Sequence, residues 1–238
     1  MQLQGKTALV TGAGRGLGRA MAIALAQAGA AVAVLARSDD EVAETAWLIE
    51  EHGGRALPLR ADVRDAAQLA VAAQQTQAAF GPIGVLINSA GVGARAPVNE
   101  LRESDWDATI DTLLKGSFLA AQAVLPQMIG LGAGNIINVG APLDRIALPG
   151  FAAYYAAKCG VDGLTRVMAK DLRRYGINVN ALHPGGYVDT RLLRSMVPDL
   201  RGQLLAATVV APVAVSLAAE PPRGKSGQII DAHLGDGA

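Results

Sequence analysis

Cys159 is the only cysteine in the 238 residues. No disulfide can form within the chain, so the fold must rest on its core alone, which fits a reducing compartment. Nor is there a surplus of charge of either sign. The 21 basic and 21 acidic residues cancel, no basic stripe stands out, and nucleic acid is excluded as an expected partner. Long uninterrupted apolar runs are missing too. The longest candidate, Ala20 to Ala36, is broken by Gln27 and Gly29, and reads as a buried helix followed by a buried strand rather than a membrane span. The N-terminal stretch Met1–Lys6 has no signal-peptide pattern. A soluble, cytoplasmic protein with no membrane partner is expected, with no metal site.

What is present is apolar and glycine-rich: 51% hydrophobic residues and 28 glycines. That suits one domain, residues 1–238, of helices packed tightly on a sheet. Linkers, repeats and low-complexity segments do not appear. Short apolar runs alternate with helical patterns, which argues for a parallel sheet covered on both faces. The runs predict strands at Thr7–Thr11, Ala31–Ala36, Arg55–Arg60, Ile83–Asn88, Asn135–Val139, Ile177–Leu182 and Gly227–Asp231. Helices are predicted at Gly16–Ala28, Asp39–Glu51, Ala66–Phe80, Ser104–Met128, Tyr154–Tyr175 and Val209–Ala219. Ser38 and Asp65 stand at helix starts, and Gly29, Gly53 and Gly176 just past helix ends. The expected fold is α/β: a Rossmann-type doubly wound sheet of about seven strands, with ligands at the carboxyl ends of the strands.

Two motifs carry chemistry. Thr11-Gly-Ala-Gly-Arg-Gly-Leu-Gly18 follows the first strand and opens a helix. Gly12 lets the chain turn sharply, and Gly16 and Gly18 let backbone amides approach a pyrophosphate at the helix N-terminus. Thr11, Gly14, Arg15 and Leu17 complete the turn. Far downstream stands Tyr154-Tyr-Ala-Ala-Lys158. Tyr154 and Lys158 share one face of a helix, where a nearby ammonium would lower the phenol pKa. Tyr155 is read as a neighbour only.

Together these motifs resemble the short-chain dehydrogenase/reductase family over essentially the whole chain, in the style of 3-oxoacyl-carrier-protein reductases. The resemblance implies hydride transfer between a nicotinamide and a ketone or secondary alcohol. Tyr154 would be the acid/base, and Lys158 its tuner and a hold on the nicotinamide ribose. It places Asp62 and Val63 by the adenine, Asn88, Ala90 and Gly91 by the ribose, and Pro184, Gly185, Val188 and Thr190 by the nicotinamide. The helices Ser104–Met128 and Tyr154–Tyr175 would pair between subunits, giving a homodimer or homotetramer.

Where relatives end the second strand in an acidic residue, this chain has Ala36 followed by Arg37. With Arg15 inside the glycine turn, two guanidinium groups are set to clamp a 2′-phosphate. NADP(H) is therefore favoured over NAD(H), although Asp39 and Asp40 keep NAD in play. Two family residues are replaced. The serine thirteen residues before the tyrosine is Ala141, in Gly134-Asn-Ile-Ile-Asn-Val-Gly-Ala141, where the family has Ser-Ser at the end. The upstream asparagine, which shapes a helix bend and supports a water chain to the lysine, falls at Leu113 in Trp106–Phe118. Asp144, Arg145, Ser117 and His183 are the neighbours considered as substitute donors; His183 reads as a packed strand-end residue. The segment Arg191–Leu205 would be a substrate lid, its Arg191, Arg194 and Arg201 solvated or set to attract an anion, with solvation preferred. The alternative to an enzyme on a small carbonyl or alcohol substrate is a non-catalytic nucleotide-binding subunit or sensor, alone or partnering an active relative.

Overall fold

The computed structural model describes residues 1–141 and 148–232. Its strands are β1 Thr7–Thr11, β2 Ala31–Ala36, β3 Arg55–Arg60, β4 Ile83–Asn88, β5 Gly134–Val139, β6 Ile177–His183 and β7 Ile229–Asp231. They form one sheet in the order β3-β2-β1-β4-β5-β6-β7, with every pairing parallel. Helices α1 Gly16–Gln27, α2 Asp39–Glu51, α3 Ala66–Phe80, α4 Glu103–Ile110, α5 Gly116–Leu131, α6 Ala152–Leu172, α7 Arg191–Met196 and α8 Ala211–Ala219 connect them. The doubly wound reading holds, and the first four strands have the expected bounds.

Both faces of the sheet are buried because strand residues alternate between two apolar clusters. Ala8, Val10, Val32 and Val34 pack with Met21 and Leu25 of α1 and Leu217 of α8. Leu9, Ala33 and Leu35 pack on the other face with Leu69 of α3 and Val124 of α5. Ser38 and Asp65 cap α2 and α3, accepting from Glu41 N and from Ala67 N and Gln68 N. Gly29, Gly53 and Gly176 follow helix ends with positive φ.

Several boundaries differ from expectation by one to three residues. The last strand starts at Ile229, not Gly227: Gly227 sits at φ +79°, a turn conformation that cannot continue a strand. Helix α6 starts earlier, at Ala152, and ends in a 3₁₀ turn, Arg173–Tyr175. A 3₁₀ turn, Ala207–Val210, precedes α8.

The largest change is in Ser104–Met128. This is not one helix but α4, a π turn at Asp111–Lys115, then α5. The hydroxyls of Thr109, Thr112 and Ser117 each donate 2.7 Å to the carbonyl four residues back, a contact that bends helices. Gly116 lies so close to Val63 that a Cβ would come within 2.8 Å of its side chain. The π turn spans Leu113, the position where the resemblance expects an asparagine. Among the described residues, no helix is long and apolar enough to cross a membrane.

Leu9 is fully buried in the sheet centre. Leu9→Ala should lower unfolding free energy by about 2–5 kcal/mol, read from the shift in urea midpoint at unchanged slope.

Candidate active site

Helix α1, after β1, and helix α5, after β4, pack on opposite faces of the sheet, so the chain leaves the carboxyl ends of β1 and β4 in opposite directions and opens a crevice at the switch point. There the Thr11 hydroxyl accepts from Ser89 N at 3.1 Å and Ala90 N at 3.3 Å, tying the two strand ends together. Gly12, at φ +65°, passes so close to Ala90 that a Cβ would meet its backbone at 2.6 Å. Helix α1 starts at Gly16 with no side-chain cap on its first amides. Those donors are left for an anion in the crevice. The glycine turn therefore fits a dinucleotide pyrophosphate, on geometry rather than pattern alone.

The crevice widens into a cavity of about 540 Å³. Gly12, Gly14, Arg15, Gly16, Leu17 and Gly18 form one end, with Arg37, Asp62 and Val63 beside them. Ala90, Gly91, Pro184, Val188 and Thr190 line the middle, and Tyr154 and Lys158 the far end. Three expected contacts are not on its wall. Thr11 acts as the tie just described. The Asn88 amide points into the core and donates to Ser117 O at 3.2 Å and to Asn138 Oδ1 at 2.9 Å. Gly185 serves the turn after β6, at φ +81°.

The adenosine end is rich in ion pairs. Arg15 Nη1 lies 2.7 Å from Glu41 Oε1, and Arg191 Nη1 lies 3.1 Å from the same oxygen. Glu41, on the wall itself, was not expected there; its place in the first turn of α2 was the available signal. Arg37 is exposed beside the cavity and faces Asp62. The Asp62 carboxyl is held below its usual range, first by hydrogen bonds from Arg64 and last by the charge of Arg37.

Val188 bridges to Leu205, and Asp189 N donates to Leu205 O, so the two ends of the segment expected as a lid are held together. Only Arg191–Met196 of the lid is helical. The Thr190 hydroxyl caps α7 by accepting from Leu193 N, while its methyl sits over Gly16. Its O–H remains able to donate. Arg194 is held bidentate by Asp189, at 2.6 and 2.8 Å.

The far end is apolar and aromatic. Phe151 meets Tyr154 and Tyr155 edge-on at 6.3 and 6.4 Å, and Tyr187, Leu148, Leu192 and Met196 close the wall. Tyr155 was read only as a neighbour in the motif, and Phe151, Leu148, Tyr187 and Met196 were not expected at the site; the fold gathers them. Lys158, 7% exposed, donates from Nζ to Val139 O at 2.5 Å and lies 5.7 Å from the Tyr154 ring centre. The expected lowering of the tyrosine pKa is not seen. Burial pushes the Tyr154 phenol up to about 12 and the Lys158 amine down to about 8, because desolvation disfavours the charged form of each.

Ala141 lines the cavity and presents only a methyl group; Leu113 lines it too. Of the substitute donors considered, Ser117 donates to Leu113 O and His183 is buried against Asp162. Asp144 and Arg145 lie outside the described residues.

A family model for the short chain dehydrogenases matches residues 6–201. The chain belongs to the short-chain dehydrogenases. Among curated members of this oxidoreductase family, it is 35% identical over 201 residues to a Staphylococcus epidermidis 3-oxoacyl-acyl-carrier-protein reductase, covering 84% of this chain and 82% of the relative. It is 39% identical over 183 residues to the D-threitol dehydrogenase of Mycolicibacterium smegmatis, covering 77% and 70%. Among solved short-chain dehydrogenases, a Burkholderia cenocepacia gluconate 5-dehydrogenase in complex with NADP and tartrate superposes with a TM-score of 0.88 at 35% identity, covering 99% and 97%. A metagenomic short-chain oxidoreductase in complex with NADP reaches a TM-score of 0.84 at 30% identity, covering 97% and 98%.

Gly12→Ala tests the cradle of this short-chain dehydrogenase. The methyl group would press on the Ala90 backbone at positive φ. We expect loss of dinucleotide binding, measured by quenching of protein fluorescence, together with a lower melting temperature.

Proposed function

We propose that the protein is an NADP(H)-dependent short-chain dehydrogenase/reductase that interconverts a ketone and a secondary alcohol, working with Tyr154 and Lys158 and without a serine at position 141. The observation that carries this reading is the single cavity joining the glycine turn to Tyr154 and Lys158. A protein keeping only nucleotide binding has no chemical use for a buried lysine beside a tyrosine.

The residues holding the cofactor would be the glycine turn for the pyrophosphate, Arg37 and Arg15 for the 2′-phosphate, and Lys158 and Thr190 at the nicotinamide end. When bound, the nicotinamide supplies or accepts the hydride and, oxidised, adds positive charge near Tyr154. Tyr154, neutral at physiological pH, gives its proton to the oxygen of a carbonyl being reduced, or recovers it in the reverse direction. The Lys158 ammonium stabilises the phenolate left behind. The aromatic wall excludes water and positions an apolar carbonyl compound. Relatives of the protein include a reductase of 3-oxoacyl thioesters and dehydrogenases of polyols and gluconate; the apolar wall favours the first kind of substrate. Glu41 competes with a 2′-phosphate for Arg15, which leaves Arg37 as the principal discriminator. A homo-oligomer, dimer or tetramer, is part of this reading.

NADPH oxidation against a panel of ketones and 3-oxoacyl thioesters tests it. Tyr154→Phe should abolish turnover. Ala141→Ser should raise kcat, since one well-aimed donor is worth about 10²–10³ in rate. In the reduction direction kcat/KM should fall above about pH 8 as Lys158 loses its proton. That sign follows because the phenolate needs the ammonium.

The methyl at Ala141 and the apolar Leu113 favour a second reading, a cofactor-binding subunit or sensor. Turnover only in the Ala141→Ser/Leu113→Asn double variant would establish it in place of the first.

Arg37→Ala should weaken NADPH binding by about 10- to 100-fold, the worth of a charged hydrogen bond, and leave NADH binding unchanged. Equal effects on both, by titration calorimetry, would remove the NADP preference.

A further inference from the structure

One buried charged cluster is unused by the chemistry above. His183 Nε2, at the end of β6, lies 3.1 Å from Asp162 Oδ1. Its Nδ1 lies 3.9 Å from Asp231 Oδ1 on β7. Asp162 and His183 are 8% and 6% exposed. A carboxylate only accepts, so the proton of this contact sits on Nε2.

The imidazole has room because residue 140 is glycine. A Cβ at Gly140 would overlap His183 Cδ2 and Nε2 and would reach Asp162 Oδ1 at 3.2 Å. Gly140 N also donates to Leu182 O at 3.0 Å, which fixes β5 beside the end of β6. Gly140 directly follows Val139, whose carbonyl accepts from Lys158. Asp162 lies four residues after Lys158 on α6, one turn along the same face. Three elements thus bring an imidazole, a carboxylate and the buried ammonium together. Leu113, across the same cavity, offers Lys158 no polar partner. Gly140 leaves open the space that His183 fills.

We propose that Asp162, anchored by His183 in the space left by Gly140, is a positioning residue that keeps Lys158 charged. This rests on the role given to Lys158 above. Burial and Asp162 act on Lys158 in opposite directions: desolvation favours the amine, and the carboxylate favours the ammonium. The groups facing this cluster are Tyr154 and Asp162 from α6, the Val139 carbonyl from β5, His183 from β6 and Asp231 from β7. His183 holds the Asp162 carboxylate in place and so acts on Lys158 only through it.

The test is a pH titration of the full chain labelled with ¹³C at lysine Cε, the Lys158 resonance being assigned by its loss in Lys158→Arg. Asp162→Asn should lower the Lys158 midpoint by about one pH unit, tenfold toward the amine at fixed pH. His183→Gln should lower it less. An unmoved midpoint in a folded Asp162→Asn protein overturns the proposal. If that variant does not fold, His183→Gln and Gly140→Ser decide. Gly140→Ser should displace the ring, lower the melting temperature and move the midpoint in the same direction. Adding His183→Ala to it should restore the melting temperature. Unmoved midpoints in both variants overturn the proposal equally. The titration needs no turnover. An inactive protein whose Lys158 midpoint responds removes the enzymatic reading and leaves this one; an active protein with an unresponsive midpoint removes this one alone.

Discussion

Everything in this molecule depends on the close approach of two backbones at the switch point. β1 and β4 are neighbours in the sheet, yet the helices that follow them leave on opposite faces. Beyond the last ladder pair, Thr11 with Asn88, the Thr11 hydroxyl ties the strand ends by accepting from the two amides that follow β4. The same approach leaves no volume for a side chain at Gly12. The glycine is thus demanded twice, by the turn's positive φ and by the neighbouring backbone. From that contact follow the crevice, the uncapped start of α1 and the place where a dinucleotide phosphate can sit.

The far end of the cavity is governed by desolvation. Lys158 and Tyr154 sit deep enough that burial shifts both toward their neutral forms. A buried ammonium survives only with partners; Lys158 donates to the Val139 carbonyl of β5, and the charge of Asp162, one turn along its own helix, acts in the same sense. Those partners come from the sheet and from α6 alike, so the charge state of one side chain reports on the packing of the whole β5–α6–β6 unit. The π turn between α4 and α5 shows a similar economy. Three hydroxyls that donate back to the preceding turn accompany the π turn at Asp111–Lys115, and Leu113 lies on the cavity wall.

Much of this was legible in the residues themselves. Period and punctuation placed the strands, because strands buried on both faces must be near-continuously apolar, as in Ala8-Leu9-Val10 and Val32-Ala33-Val34. The glycine turn and the Tyr154–Lys158 pair were legible because each needs particular residue types at fixed spacing within a few turns of chain. What sequence could not determine are contacts between residues far apart in the chain: Glu41 with Arg191, Gly140 with His183, and the aromatic wall of Phe151, Tyr155 and Tyr187. No local pattern encodes these, since they arise only when the right-handed crossovers bring strand ends together. The direction of the tyrosine shift also belongs to tertiary structure. Spacing puts an ammonium near a phenol, but only the fold decides that it faces the carbonyl of Val139 and that burial outweighs its charge.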